Sequence, residues 1–304
     1  MNNTAPSVGI IMSAFNAEKY ITEQIESILS QRDVKISLWI RDDGSTDNTL
    51  KILLDNYTHH PNVKITSGRN LGAAQSFFEA IFECTFNCDF YGFSDADDVW
   101  IDRKTSLSIE KILSIKSLDP VAVATKLIIT DDRLNEIGRS ISPNIGLIFE
   151  NALIQTVTSG ASIVMSKNAF NLLRSYRPKN SVMHDAWLYL LITAFGNFLY
   201  LDEPTILYRQ HANNVFGTGH GFSKSWKNRI KRIKLDNPYK KQAVEFMNAF
   251  GNRLDLHKRM ALEKYANYDK NLFTKINFFI YPSFKMQTLK SNVFQRFLIL
   301  LGKL

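Results

Sequence analysis

Phe90-Tyr91-Gly92-Phe93-Ser94-Asp95-Ala96-Asp97-Asp98 passes from four apolar or small residues directly into three carboxylates. The first four read as a buried strand. Carboxylates crowded at the end of such a strand repel one another and lose hydration, so they are tolerated mainly where a divalent cation or a cationic ligand neutralises them. Taken alone, the cluster also suits an acidic turn capping a helix that begins near Val99, since Asp at a helix start satisfies free N–H groups.

Upstream, the apolar run Val8-Gly9-Ile10-Ile11-Met12 breaks into Ser13-Ala14-Phe15-Asn16, a strand with a polar loop at its carboxyl end. Ile21, Ile25, Ile28 and Leu29 then recur at helical spacing. Ile36 to Ile40 reads as a second strand, and it too ends in acid, at Arg41-Asp42-Asp43-Gly44-Ser45-Thr46-Asp47. A short helix over Asn48 to Tyr57, a third strand at Val63-Lys64-Ile65, the loop Arg69-Asn70-Leu71-Gly72 and a helix over Ala73 to Glu83 lead back to Phe90. Strands alternating with helices at this spacing predict an α/β fold, a mainly parallel sheet with helices on both faces. Such sheets bind ligands outside the carboxyl ends of their strands. Asn16, Asp42, Asp43, Arg69, Asp95 and Asp97 all fall at those ends, which points to a nucleotide-phosphate site with a metal.

With these pieces in place, the chain resembles an inverting glycosyltransferase of family 2 with a Rossmann-like GT-A fold. The resemblance rests on Ser13-Ala14-Phe15-Asn16, Asp42 to Asp47, Arg69 to Gly72 and Asp95-Ala96-Asp97, followed by Thr158-Ser159-Gly160, His184-Asp185-Ala186-Trp187 and Tyr208-Arg209-Gln210-His211. It covers roughly the first 220 residues, taken as the catalytic domain, with 221–304 as a basic, mainly helical extension. The last two motifs are similar to the bacterial branch that includes rhamnosyltransferases of surface polysaccharide assembly.

The resemblance implies a role for each motif. Asp42 or Asp43 accepts a hydrogen bond from the imide N–H of uracil or thymine; the same residues also make good turn chemistry. Ser13, Phe15, Asn16, Arg69, Asn70 and Asp95 contact the nucleotide sugar, and Arg209 assists on phosphate. Asp97 ligates Mg2+ or Mn2+, with His211 on the metal or the diphosphate. Asp98 caps the next helix. Asp185 is the candidate general base for an acceptor hydroxyl; it also suits the cap of a helix over Ala186 to Thr193. The implied donor is a dTDP- or UDP-linked sugar, with L-rhamnose first and UDP-hexoses or UDP-N-acetylhexosamines as the alternative. The implied acceptor is a glycan or lipid-linked glycan. Processive members carry a Gln-x-x-Arg-Trp signature that is absent here, which favours addition of one residue or a few. A nucleotidyltransferase should show a Gly-rich loop after the first strand, where this chain has Ser13 to Asn16. A non-catalytic glycan or membrane scaffold on the same fold is the competitor from another class.

Charge separates the two parts. From Lys224 to Leu304 the sequence holds about 18 basic against about 5 acidic residues, leaving the remainder near −5 within a net +8. Segments such as Ser225 to Ile233, Phe278 to Tyr281 and Phe294 to Leu301 mix apolar groups with cations, which suits an anionic membrane surface, a solvated helical bundle or a homodimer contact. No nucleic-acid motif accompanies the charge, so nucleic acid is not an expected partner. Cys84 and Cys88 are the only cysteines and form no disulfide framework, which suits a reducing cytoplasm. No signal peptide is evident, and the apolar stretch Ala186 to Leu201 is too short and too interrupted for a membrane span. The expected location is the cytoplasm, with peripheral binding to the inner membrane's cytoplasmic face.

Overall fold

The structure is a computed structural model that describes residues 5–210, 237–280 and 283–302. Along the chain come β1 (Ser7–Ala14), α1 (Ile21–Leu29), β2 (Lys35–Asp42), α2 (Thr49–Tyr57), β3 (Val63–Ser67), α3 (Ala73–Glu83), β4 (Phe90–Ser94), β5 (Val99–Trp100), α4 (Lys104–Ser114), β6 (Val121–Thr130) and β7 (Glu136–Arg139). After α5 (Phe149–Ala152) follow β8 (Ile163–Ser166), α6 (Lys167–Arg174), α7 (His184–Phe195), β9 (Asn197–Arg209), α8 (Pro238–Phe250), α9 (Leu256–Ala266), α10 (Leu272–Ile280) and α11 (Leu289–Leu301). The described residues form two compact units: 5–142, 158–175 and 196–210 in one, and 143–157, 176–195, 237–280 and 283–302 in the other.

The first unit is an α/β sheet of order β3-β2-β1-β4-β8-β6-β9-β5, with β7 paired to β6. Strands β3, β2, β1 and β4 are parallel, as expected; β8 runs antiparallel to both β4 and β6, β6 and β9 are parallel, and β5 is antiparallel to β9, so the sheet as a whole is mixed. Both faces are covered. Val8, Ile10 and Met12 share one core with Ile21, Ile25 and Ile28 of α1 and Ile109 and Ile112 of α4. Ile11, Trp39 and Phe93, in register on neighbouring strands, alternate to the other face, where Phe77 of α3 meets Phe93 edge to face at 5.9 Å. This two-sided burial is why β1, β2 and β4 read as apolar runs without alternation. Gly9 admits the Tyr91 ring: a Cβ there would lie 2.8 Å from Tyr91 Cδ1. Tyr91 in turn stacks on Phe170 at 3.7 Å.

The chain order reverses between β1, which leads outward to β2 and β3, and β4 on its other side. Sheets of this kind take their ligands at such a switch point, which here falls at the carboxyl edge between the loop after β1 and the loop after β4. One local expectation fails there. Val99 does not open a helix; Val99 and Trp100 pair with Leu207 and Ile206 of β9, and α4 starts at Lys104. β-Branched and aromatic residues beside a long strand gain more from the ladder than from a helical turn.

The second unit is helical. In α7, residues 184–194 are all buried, which accounts for the long apolar stretch in sequence by core packing. Trp187 meets Phe246 at 5.5 Å, and Tyr189 donates to Asn151 at 2.9 Å. A second cluster joins Tyr265, Tyr268, Phe278 and Phe284. Among the described residues no helix is long and apolar enough to cross a membrane.

Candidate active site

The two aspartates that close β2 do different things. Asp42 Oδ2 accepts the backbone N–H groups of Gly44 (3.2 Å) and Ser45 (3.1 Å), while Oδ1 is buried and meets no donor. A carboxylate oxygen in that state can accept a further N–H, and leaving it unmatched in a dry site costs about 1–3 kcal/mol. Asp43 is fully engaged: its oxygens take Arg41 Nη1 and the backbone N–H groups of Leu71 and Gly72 at 2.9 Å. Arg41 also donates to Ser76 Oγ (2.8 Å) and to the Arg69 carbonyl (3.2 Å), and Ser76 shares a 2.6 Å hydrogen bond with Ser13. Asp43 therefore anchors the loop that presents Arg69 and Asn70, both exposed. Gly44 sits at φ +72°, and a Cβ would lie 2.9 Å from Asn70 N, so the turn and the loop touch backbone to backbone.

The loop after β1 is tied to the same turn. Asn16, at φ +50°, accepts from Thr46 N (2.8 Å) and donates its own N–H to Ser45 Oγ (3.0 Å). Its neighbour Phe15 is 47 % exposed.

Across β1 lies the acidic loop. Asp95 and Asp97 are half-buried and Asp98 is fully buried. Asp98 does not cap a helix: its Oδ1 accepts the backbone N–H of Arg209 at 3.1 Å, while Oδ2 meets no donor. Burial first, then the nearby charges of Asp97 and Asp95, push its pKa well above the usual carboxylate range. That crowding of carboxylates is the environment a hard cation relieves, so the donor set fits Mg2+ or Mn2+. Asp97 would hold such an ion. Among the described residues no group of three or more His, Cys, Asp or Glu converges as a ready metal site, and His211 lies outside the described residues.

Arg209 is buried beneath this loop. Its Nε donates to the Asp97 carbonyl (2.9 Å), Nη1 to the Asp132 carbonyl (3.0 Å) and Nη2 to Glu23, and its guanidinium lies 4.7 Å from the Tyr20 ring centroid. This arrangement holds the backbone of the acidic loop. Ser13, Phe15, Asn16, Asp42, Asp43, Arg69, Asn70, Asp95, Asp97 and Arg209 are thus all gathered in the first unit. Asp185 belongs to the second, in the first turn of α7, with Oδ1 accepting its own neighbour's N–H from Ala186 at 2.8 Å. Arg41, Ser76, Glu23 and Asp132 were missed by sequence reasoning. Only Arg41, a lone cation inside a buried strand, carried a signal that could have marked it.

Comparisons with known proteins agree with this geometry. The sequence model of glycosyl transferase family 2 matches residues 9–171. The chain is 30% identical over 255 residues to the dTDP-rhamnosyl transferase RfbG of Shigella flexneri, covering 79% of this chain and 85% of that one. Among solved structures, S. aureus TarS 1–349 in complex with UDP superposes with a TM-score of 0.56 at 17% identity, covering 94% of this chain and 76% of TarS. The mannosyltransferase PcManGT from Pyrobaculum calidifontis, in complex with GDP-Man and Mn2+, gives 0.54 at 16% identity over 98% and 86%. A GT-A sheet with its polar loops at one edge, and a family match across more than half the sequence, together make this chain a member of glycosyltransferase family 2.

Proposed function

We propose that this enzyme transfers L-rhamnose from dTDP-rhamnose to a hydroxyl of a glycan or lipid-linked glycan in bacterial surface polysaccharide synthesis, with inversion at the anomeric carbon. The observation that carries a thymine or uracil donor is the buried, unmatched Oδ1 of Asp42 at the carboxyl end of β2. It is an acceptor, and the imide N–H of either base is the matching donor. Rhamnose is favoured over a UDP-hexose or UDP-N-acetylhexosamine by the match to RfbG across most of both chains.

In this reading Phe15 offers its exposed ring to the base, Asn16 and Asn70 line the nucleotide, and Asp95 meets the nucleotide's deoxyribose. Arg69 lies against the diphosphate. Asp43 and Arg209 act through backbone, the first holding the Arg69 loop and the second the Asp97 carbonyl. Asp97, with His211, would hold Mg2+ or Mn2+, whose charge offsets that developing on the departing diphosphate. The acceptor oxygen forms its bond to the anomeric carbon as the bond to the diphosphate breaks, and the electron pair leaves with the phosphate oxygen. Asp185 takes the acceptor's proton. A single displacement inverts the centre.

The test is calorimetric binding of dTDP, UDP and CDP to wild type and Asp42→Asn. In the variant one oxygen keeps the Gly44 and Ser45 bonds while an NH2 faces the ligand, so dTDP and UDP should weaken by about 10–100-fold and CDP, whose ring nitrogen accepts, should not. Unchanged dTDP and UDP affinity would refute the assignment. In the same series, Asp185→Asn should keep dTDP affinity and lose about 10²–10⁴ in turnover with dTDP-rhamnose and a lipid-linked glycan acceptor.

A further inference from the structure

Residues 271–304 contain Lys275, Lys285, Lys290, Arg296 and Lys303 and neither Asp nor Glu. Within this acid-free segment α10 exposes Leu272, Phe273, Ile276 and Ile280. Likewise α11 exposes Leu289, Val293, Phe297 and Leu300, with Leu289 at 81 %. At about 100° per residue each set lies along one side of its helix. The core is on the other side: Phe278 of α10 and Leu298 and Ile299 of α11 are buried, and Phe278 meets Phe284 at 4.6 Å. Each helix thus has a second apolar stripe that the folding of its own unit leaves in water, and a contiguous stripe of this kind marks an interaction surface.

We propose that α10 and α11 dock this protein on the surface of an anionic lipid bilayer, their apolar stripes entering the acyl boundary and their lysines meeting headgroup phosphates. Charge selects the occupant. A second copy would bring one cationic, acid-free segment against another, whereas an anionic surface neutralises both stripes' flanking cations. Lys285, in the segment that leads into α11, and Lys290, in its first turn, are exposed. With 9 and 13 residues the helices are too short to span, so they lie in the plane of the interface. The inference stands independently of the donor assignment, since it uses none of the residues at the sheet edge.

Co-sedimentation of the full chain with vesicles of phosphatidylcholine, with and without phosphatidylglycerol, tests it. Binding should require phosphatidylglycerol and fall with added salt. Phe273→Glu with Phe297→Glu should lower the partition coefficient about tenfold or more while far-UV circular dichroism stays unchanged, because both side chains are exposed. Lys285→Gln with Lys290→Gln, which touches no apolar contact, should lower it roughly fivefold per lysine. Absence of binding to the anionic vesicles, or binding that neither pair of substitutions weakens, would overturn the proposal. So would a dimer in sedimentation equilibrium that the Phe pair dissociates, which would give the face to a second copy.

Discussion

Arg41 is a guanidinium almost without solvent, and it is tolerated because Asp43, Ser76 and the Arg69 carbonyl receive its N–H groups. Arg41→Met would leave the Asp43 charge buried, with only the Leu71 and Gly72 N–H groups to hold it. Unfolding by urea should show a loss of about 3–5 kcal/mol, partly restored by adding Asp43→Asn. A loss under about 1 kcal/mol would mean the pair contributes little. The same two carboxylates mark the limit of reading a site from sequence. Asp42 and Asp43 are adjacent, chemically identical and equally placed at a strand end, so the motif nominates both. Only the fold separates them, because the Asp43 carboxylate takes the Leu71 and Gly72 amides, 28 and 29 residues away, while the Asp42 carboxylate takes amides of its own turn.

At the scale of elements, β1 depends on a missing side chain. Tyr91 of β4 leans across Gly9, with its hydroxyl accepting from Cys88 N (2.9 Å) and donating to the Phe86 carbonyl (2.8 Å), so the ring cannot swing aside. Gly9→Ala should cost about 1–3 kcal/mol by overpacking, measured as a lower urea midpoint; Tyr91→Leu in the same background should recover part of it. An unchanged midpoint for Gly9→Ala would show that β1 and β4 can separate slightly at no cost. The elements that were legible are those with local causes. Helix α3 spans Ala73–Glu83, the bounds expected from the sequence, and the three parallel pairings of β1, β2, β3 and β4 follow from short βα repeats. β8 was not legible as the strand between β4 and β6, nor was the pairing of β5 with β9, since those choices join residues far apart and leave no periodicity in either segment. The misplaced helix at Val99 has the same origin: its competitor was a ladder to Ile206 and Leu207.

For the molecule as a whole, two buried titratable groups, one in each unit, make stability depend on pH in separate windows. Lys104 is buried with its Nζ 3.6 Å from the Trp100 ring centroid, and burial, opposed by the Asp98 charge, lowers its pKa from 10.5 to about 7. His184 is buried in α7, and burial lowers its pKa from 6.5 to about 3. Both shifts favour the neutral form in the fold, so in each window the unfolded chain binds the extra proton and stability rises with pH. The Lys104 contribution is complete above pH 10.5 and is lost as pH falls to about 7; the His184 contribution is complete above 6.5 and is lost as pH falls to about 3. Differences from variants isolate each group from the many others that titrate. Relative to Lys104→Met, wild type should gain up to about 1.4 kcal/mol per pH unit between 7 and 10.5, with no relative change below 7. Relative to His184→Gln, it should lose at up to the same rate, about 1.4 kcal/mol per unit, from pH 6.5 down to about 3. Urea unfolding across these ranges reads both slopes. Parallel curves for wild type and Lys104→Met would place the ammonium in water in the folded protein, and parallel curves for His184→Gln would mean that the imidazole gains a proton inside the fold as readily as outside it.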